Sequence, residues 1–200
     1  MGGLDIDIVR NTITESIRVK QTLLEDAGAI GHIVTAAEKC IDAFRHGNKL
    51  LLAGNGGSAA DAQHIAAEIV SRFDFDRPGL PAIALTTDTS MLTAISNDYG
   101  YEALFRRQLE ANGRQGDVFI GISTSGNSPN IVKALEKARE LSIDTIGLTG
   151  ATGGRMAGLC DTCILIPSTS TPRIQEAHIT VGHIICGIIE ETLFGRYRGG

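Results

Sequence analysis

The sequence predicts an α/β fold, a doubly wound three-layer sandwich with a five-stranded parallel sheet. Strand-like and helix-like segments alternate from residue 48 onward, and turns rich in Ser, Thr or Gly follow most of the strand-like segments. Those segments are continuous apolar runs, which are typical of parallel strands covered by helices on both faces. The five predicted strands are KLLLAG (49–54), PAIALT (81–86), DVFIGIS (117–123), DTIGLTG (144–150) and TCILIP (162–167).

Two helices are predicted before the first strand, at about residues 5–27 and 30–46. Apolar residues recur at helical spacing in the first of them, and we expect Gly28 to close it. A short helix is expected after the fourth strand and a long helix at the C-terminus. The other helices are expected to begin near Ser58, Ser90 and Ser128.

The composition agrees with one globular domain. The chain has 200 residues, of which 42% are hydrophobic and 20% charged, and this length is enough to bury one sizeable core. We interpret residues 1–200 as a single domain, with oligomerisation helices at 1–46 and an α/β core at 47–195. The leading helix has no place in a minimal sandwich. We therefore expect its apolar stripe to pack on another subunit of a dimer or tetramer.

Charge and hydropathy narrow the choice of partners and location. A net charge of -5 argues against nucleic acid or an anionic membrane as a partner, because such binding relies on dense Lys/Arg patches. The N-terminal MGGLDIDIVR has no basic region followed by an apolar stretch, so it does not match a signal peptide. The helix near 177–194 contains His178, His183, Glu190 and Glu191, and we interpret it as too polar to span a membrane. We expect a cytoplasmic protein.

The four cysteines are interpreted as reduced thiols. CDTC, residues 160–163, has the spacing of some metal and redox sites. However, Cys163 falls in a predicted strand, there is no second Cys pair, and no helix starts at Cys160. These features favour a structural role for the pair.

The segments that follow the strands are where we expect the chemistry. In doubly wound sheets, ligands bind in the crevice beyond the C-terminal ends of the strands. Four of the five segments are rich in Ser, Thr and Gly, whose hydroxyls and backbone N–H groups hold phosphate. The segments are GNGGSA (54–59), TTDTS (86–90), STSGNS (123–128), TGATGG (149–154) and PSTSTP (167–172).

Two of these turns invite a closer interpretation. GNGGSA matches the dinucleotide-binding pattern only loosely, because no acidic residue ends the second strand, and glycines there also serve tight turns. A ligand loop and a simple connection are equally consistent with it. In STSGNS, Ser128 stands at the N-cap position before Pro129 and a long helix. Capping explains one hydroxyl, but it does not explain several neighbouring ones.

Histidines on two helices are candidates for proton transfer or metal binding. His64 and Glu68 are four residues apart and share one helix face. The C-terminal helix offers His178 and His183, which lie about 140° apart around the helix axis and cannot both face one small site. Helical periodicity does not choose between them.

Four stretches carry a resemblance: AGNGGSAADAQHIAAE, LTTDTSMLTAISNDYG, GISTSGNSPNI and RIQEAHITVGHI. Together they closely resemble the phosphoheptose isomerases of the sugar isomerase (SIS) domain family, and the resemblance covers nearly the whole chain. It implies the sandwich described above, assembled as a homotetramer with sites at subunit interfaces. It also implies one zinc ion per subunit, with the ligands His64, Glu68, Gln175 and His183. The implied substrate-binding residues are Asn55, Gly56, Gly57, Ser58, Glu68, Asn97, Asp98, Ser123, Thr124, Ser125, Ser128 and Gln175.

The resemblance implies an aldose–ketose isomerase. It would convert D-sedoheptulose 7-phosphate to D-glycero-D-manno-heptose 7-phosphate through an enediol, as the first step toward ADP- or GDP-heptose for lipopolysaccharide or other glycoconjugates. The strand-end hydroxyls would hold the phosphate. Moving a proton between adjacent carbons needs an acid and a base, and we assign Glu68 as the base and His183 as its partner at the sugar oxygens. Zinc would polarise the carbonyl or organise the site.

A non-catalytic regulator is the alternative. Proteins of the same fold associate with the bacterial replication initiator, and they resemble this chain even at ETLF, residues 191–194. Those regulators lack the acidic residue and the histidine at the positions of Glu68 and His183, and this chain keeps both. A sugar-phosphate sensor without turnover has no need of that pair either. The sequence therefore favours the enzyme.

Overall fold

The computed structural model describes residues 6–198, in which helices and strands alternate in the predicted order. Residues 1–5, where the first helix is predicted to begin, and the last two residues of the tail RYRGG lie outside the described residues. Short 3₁₀ turns occupy Tyr101–Ala103, Gly154–Gly158 and Gly195–Tyr197. The strands are β1 (Leu50–Gly54), β2 (Ala82–Ala84), β3 (Val118–Ser123), β4 (Asp144–Gly150) and β5 (Thr162–Ile166). The helices are α1 (Ile6–Glu25), α2 (Ala27–Arg45), α3 (Gly57–Val70), α4 (Thr89–Tyr99), α5 (Leu104–Asn112), α6 (Pro129–Glu140) and α7 (Thr171–Phe194).

The five strands form one parallel sheet in the order β2-β1-β3-β4-β5. This confirms the predicted sheet. The strand order reverses between β1 and β3, and such a switch point opens a crevice at the C-terminal ends of the two strands. Gly54, the last residue of β1, pairs with Ile122 near the end of β3. The loops that follow these two strands therefore leave the sheet side by side.

Alternating residues of the central strands β1 and β3 feed two separate cores, which confirms the three-layer sandwich. Leu50 and Leu52 of β1 join the cluster that α2, α3 and α7 cover. Leu51 and Ala53 join the cluster on the opposite face, which α5 and α6 cover. All four residues are almost completely buried. Burial on both faces is the physical reason that these strands appear in the sequence as continuous apolar runs.

The boundary between the first two helices differs from the prediction. Helix α1 ends at Glu25, and Asp26 caps α2 by accepting the backbone N–H groups of Gly28 and Ala29 at 2.9 and 3.0 Å. Gly28 therefore lies in the first turn of α2, and the prediction that it closes the first helix is wrong. An aspartate carboxylate satisfies the otherwise unpaired N–H groups at a helix start. That local chemistry decides where α2 begins.

The two leading helices play different parts in the chain. Helix α2 buries Ile33, Cys40 and Ile41 in the core that covers one face of the sheet. Of residues 6–25 in α1, only Leu23 is buried. Six apolar side chains of α1 are 56–73% exposed, and all but Ile8 form a stripe on one side of the helix: Ile6, Ile8, Val9, Ile13, Ile17 and Leu24. Nothing within the described chain covers that stripe.

Helix α7 is a core helix. Within residues 6–198, Thr171–Tyr197 is the one segment long and apolar enough to cross a membrane by length and composition. The sequence-based interpretation that α7 is too polar to span a membrane therefore does not follow from its composition alone. Its packing identifies α7 as a core helix, because α7 buries Ile174, Val181, Ile185 and Ile189 in the same core as α2 and α3.

Candidate active site

Three serine hydroxyls meet beyond the end of β3. Ser123 is 4% exposed, and its Oγ lies 2.8 Å from Ser128 Oγ and 3.5 Å from Ser125 Oγ. The cluster stands at the start of α6, where backbone N–H groups and the helix dipole favour an anion. The sequence prediction of neighbouring hydroxyls on one strand-end loop is thus realised in the structure.

Ser128 occupies the N-cap of α6, with Pro129 at the first helical position, as predicted. Its hydroxyl, however, makes no capping hydrogen bond and pairs with Ser123 instead. The backbone N–H of Ile131 is satisfied by the Ser128 carbonyl and by the side chain of Asn130. Capping therefore does not explain why a hydroxyl stands at position 128.

Beside this cluster lies a cavity of about 270 Å³, which Thr124, Ser125 and residues of the β4 and β5 loops line. Glycine is required at position 126 of the β3 loop, because φ is +67° and a Cβ atom there would lie 2.1 Å from the carbonyl oxygen of Gly153. The Thr124 carbonyl accepts the N–H of Gly150 at 3.1 Å. These contacts hold the β3 and β4 loops together.

The glycines of the β1 loop serve two different purposes. Gly56 adopts φ of +56°, a conformation that other residues rarely take. Gly57 leaves room for Gln175, because a Cβ atom there would lie 2.5 Å from the Gln175 side-chain nitrogen. The next residue, Ser58, is buried in the first turn of α3. The side-chain amide of Gln175 in α7 therefore packs directly against this loop.

The side chain of Asn55 is held by two residues that sequence reasoning missed. It exchanges hydrogen bonds with the side chain of Asn130, at 2.8 and 2.9 Å, and accepts a third from the Tyr101 hydroxyl at 2.8 Å. Asn130 is 1% exposed. Both residues stand in or beside the quoted motifs, in SPNI and DYGY. Asn130 can be recognised as a candidate site residue because its side-chain amide is buried in the first turn of α6.

Asn97 and Asp98 lie near the end of α4, on the exposed surface. The Asn97 side chain donates to Asp98 at 2.8 Å. In the described part of the chain, no hydrogen bond joins either side chain to the serine cluster or to the histidines. Their assignment to substrate binding stays a prediction.

His64, Glu68 and His183 come together where α3 and α7 run side by side. His64 Nε2 lies 3.1 Å from Glu68 Oε1 and 3.4 Å from His183 Nε2. His178 faces the sheet instead: it is fully buried, and its Nε2 lies 3.3 Å from the Thr149 carbonyl oxygen. The choice that helical periodicity leaves open is therefore resolved by geometry in favour of His183.

This trio has the composition and spacing of a metal site. Within residues 6–198, it is the one group of three or more His, Cys, Asp or Glu side chains whose ligand atoms lie within 4.8 Å of one another. Two nitrogens bound to a tetrahedral zinc at about 2.0–2.1 Å lie about 3.4 Å apart, which is the separation of the two Nε2 atoms. The CDTC cysteines, Cys160 and Cys163, are free thiols outside this group.

Gln175 is the predicted metal ligand that the structure does not place with the trio. It precedes His183 by eight residues on α7, which is about 12 Å along the helix axis. Its amide lies at Gly57, at the other end of the α3–α7 contact. This position favours the predicted contact with substrate, and its role as a metal ligand stays a prediction.

The trio and the serine cluster are two separate parts of one chain. The His64 and Glu68 side chains are 46% and 24% exposed. They do not line the cavity beside Ser125 or the 310 Å³ cavity around Asn55 and Tyr101. Along α3, His64 lies about 10 Å beyond Gly57. That length is comparable to an extended seven-carbon sugar phosphate.

Comparison with known proteins identifies the family of this chain. Residues 15–150 match the family model of the SIS domain. The phosphoheptose isomerase of Aneurinibacillus thermoaerophilus is 64% identical over 188 residues, which cover 94% of this chain and 95% of that protein.

Two solved structures share the fold over nearly their whole length. The phosphoheptose isomerase of Neisseria gonorrhoeae has a TM-score of 0.87 at 44% identity, covering 92% of this chain and 98% of that chain. The one from Francisella tularensis has a TM-score of 0.89 at 35% identity, covering 94% and 100%. The chain therefore belongs to the SIS domain family and, within that family, to the phosphoheptose isomerases.

Proposed function

We propose that this chain isomerises D-sedoheptulose 7-phosphate to D-glycero-D-manno-heptose 7-phosphate, the first step of ADP- or GDP-heptose biosynthesis. The observation that carries the proposal is the meeting of the Glu68 carboxylate and the His183 imidazole at one end of the α3–α7 contact. Relatives named phosphoheptose isomerase match nearly the whole chain. A replication-initiator regulator needs no such pair, and the comparisons give that alternative no support.

The reaction needs one carbon-bound proton to move by one carbon. Glu68 takes the proton from C1 of the ketose, and the electrons form the C1–C2 double bond of an enediol. The same carboxylic acid returns the proton to C2 while the carbonyl forms at C1. His183 donates a proton to O2 and accepts one from O1, so that no full charge accumulates on either oxygen. Atoms and charge balance over the cycle.

The serine cluster anchors the phosphate in this proposal. Ser123, Ser125 and Ser128 offer three hydroxyls at the start of a helix, and hydroxyls and helix N-termini bind phosphate without a basic residue. Phosphate binding by uncharged donors is consistent with a chain that has few basic clusters. The Gln175 amide and the glycine loop would contact the sugar between the phosphate and the trio.

Zinc is the metal that we propose for the trio. The two imidazole nitrogens at 3.4 Å and the Glu68 carboxylate are the ligand types that zinc prefers. His64, Glu68 and His183 would hold the ion. A bound zinc supplies Lewis acidity that polarises the sugar carbonyl.

Replacing His64 by Ala should abolish stoichiometric zinc binding, because it removes one of two nitrogens from a site of few ligands. We expect about one zinc per wild-type chain and less than about 0.1 in the variant after dialysis against a weak chelator. Elemental analysis by mass spectrometry measures the ratio. His32→Ala, at an exposed histidine of α2, is the matched control and should keep its zinc. Equal zinc content in both variants would show that the trio is not the site.

A homotetramer with shared sites is the assembly that we propose. Helix α1 presents six apolar side chains that nothing in the described chain covers, and exposed apolar stripes of this size mark protein contacts. The partly exposed trio and the separate serine cluster also favour a site that a second subunit completes.

The double variant Ile13→Lys/Ile17→Lys should dissociate into smaller species. Both side chains are more than half exposed within the chain, at 56% and 59%, so the charges oppose association and leave the fold of each subunit intact. Light scattering coupled to size exclusion measures the mass, and circular dichroism checks the fold. Asn11→Lys, on another face of α1, should remain a tetramer. An unchanged mass in the double variant would place the contact elsewhere.

Incubation with D-sedoheptulose 7-phosphate tests the function directly. The product should be an aldose phosphate with a new aldehydic C1 signal in NMR spectra. Solvent deuterium should enter the sugar, because a proton held on a carboxylate exchanges before it returns. Absence of turnover with zinc supplied would favour the regulator. We also propose a cytoplasmic location, which the free thiols of all four cysteines support.

A further inference from the structure

A buried ion pair lies directly behind the trio. Residues 71–81 connect α3 to β2 without helix or strand, and Arg77 from this connection pairs with Glu190 of α7 at 3.0 Å. Both side chains are 1% exposed. A charged pair that is fully removed from water loses hydration that the pairing only partly restores. The pair therefore calls for an explanation beyond stability.

Arg77 closes the C-terminal end of α3. Its guanidinium donates to the carbonyl oxygen of Glu68 at 2.8 Å and to that of Ile69 at 2.7 Å. These carbonyls belong to the last turn of the helix, whose acceptors have no partner within the helix itself. One of the two residues that Arg77 holds is thus Glu68, the proposed base.

Glu190 holds the loop that follows α3. Its carboxylate accepts the backbone N–H groups of Phe73 and Asp74 at 2.8 and 2.7 Å, in addition to the Arg77 side chain. Burial alone raises a carboxyl pKa, but these donors hold the pKa of Glu190 below its usual range. The carboxylate stays charged and keeps the loop in one conformation.

The loop in turn places an aromatic ring against His183. The ring centroids of Phe73 and His183 are 5.6 Å apart. The Phe73 ring also lies against Gly187, where an added Cβ atom would meet it at 3.4 Å. His183, Gly187 and Glu190 are spaced by four and three residues and therefore form one stripe on α7. One face of α7 thus carries the His183 imidazole, the glycine that the Phe73 ring contacts and the Glu190 carboxylate that binds the loop.

We propose that Arg77 and Glu190 are positioning residues that hold Glu68 and His183 in the arrangement that proton transfer requires. The proposal rests on the proposed isomerase function. Arg77 acts through the backbone of Glu68, and Glu190 acts through Phe73 on the imidazole. A displacement of about 1 Å at a reacting group can cost about 10²-fold in rate, so a rigid pair at this place serves catalysis.

Three variants test the proposal: Arg77→Met/Glu190→Met, Glu190→Gln and Phe73→Leu. Replacement of a whole buried ion pair by apolar residues often leaves stability unchanged, so the double variant should fold. Each variant should lose about 10–100-fold in kcat. KM should stay within about threefold, because the phosphate-binding serines lie at the other end of α3.

Lys49→Met is the matched control. Lys49 pairs with the buried carboxylate of Asp117 at 2.6 Å, at the N-terminal edge of the sheet and far from the trio. Its loss should lower stability and leave kcat within about twofold of the wild-type value. If the kcat of the three variants falls no further than that of Lys49→Met at equal loss of stability, the pair is structural only and the proposal is overturned.

The NMR signal of the His183 ring gives a second measurement that does not need turnover. The chain has five histidines, so ¹³C-labelled histidine gives few signals, and His183→Asn assigns the relevant one. Loss of the neighbouring Phe73 ring, or release of its loop, should shift that signal, whereas Lys49→Met should not. An unmoved signal in all three variants would overturn the proposal. If the wild type shows no turnover but the shifts occur, the proposed function fails and the positioning geometry stands.

Discussion

Glu68→Gln should lose at least about 10²–10⁴-fold in kcat, which is the usual contribution of a positioned acid or base. Glutamine keeps the size of the side chain and much of its hydrogen bonding, but it cannot accept a proton at neutral pH. His183→Asn should show a loss of similar size, because asparagine imitates one edge of the imidazole without its basicity. Steady-state kinetics with sedoheptulose 7-phosphate measures kcat, and uptake of solvent deuterium should fall in parallel.

Two controls separate chemistry from folding. Circular dichroism and light scattering should show that both variants keep the fold and the oligomeric state. Glu110→Gln, at an exposed carboxylate of α5 that pairs with Arg107 on the same helix, should keep the wild-type kcat. If Glu68→Gln and His183→Asn both convert substrate at nearly wild-type rates, other groups perform the proton transfer.

The sheet could be predicted because its physical cause is local in the sequence. A strand that is buried on both faces is apolar at most of its positions, and runs such as LLLAG and VFIGIS show this directly. The start of α2 could not be predicted as well, because two local signals competed there. Gly28 suggested a helix end, whereas the carboxylate of Asp26 caps the next helix and decides the boundary.

The parts of the site differ in how far the sequence shows them. The serine cluster lies on one loop, so its hydroxyls appear next to one another in STSGNS. The pairing of His64 with His183 joins residues that are 119 positions apart, and only the family resemblance pointed to it. Arg77 and Glu190 are 113 positions apart. No periodicity or spacing joins two such residues, and a buried arginine in a polar connection has no local signature.

The free energy of unfolding should fall by about 3 kcal/mol as the pH decreases from about 6.5 to about 4, because of His178 alone. This histidine is fully buried. Burial lowers the pKa of His178 to about 4, although its hydrogen bond to the Thr149 carbonyl raises it in part. In the unfolded chain the pKa is about 6.5. As the pH falls, the unfolded chain therefore binds the proton first, and folding is progressively disfavoured until the native imidazole is also protonated.

His178→Gln isolates this contribution, because glutamine does not titrate and its amide can still donate to the Thr149 carbonyl. Urea unfolding of both proteins at pH 7.5 and 4.5, with metal removed, should show that the wild type loses about 2–3 kcal/mol more than the variant over this interval. All other groups are the same in the two proteins, so their contributions cancel in the difference. Equal losses in the two proteins would mean that the native His178 takes up its proton near the ordinary pKa, which its position between α7 and β4 does not allow without local opening of that contact.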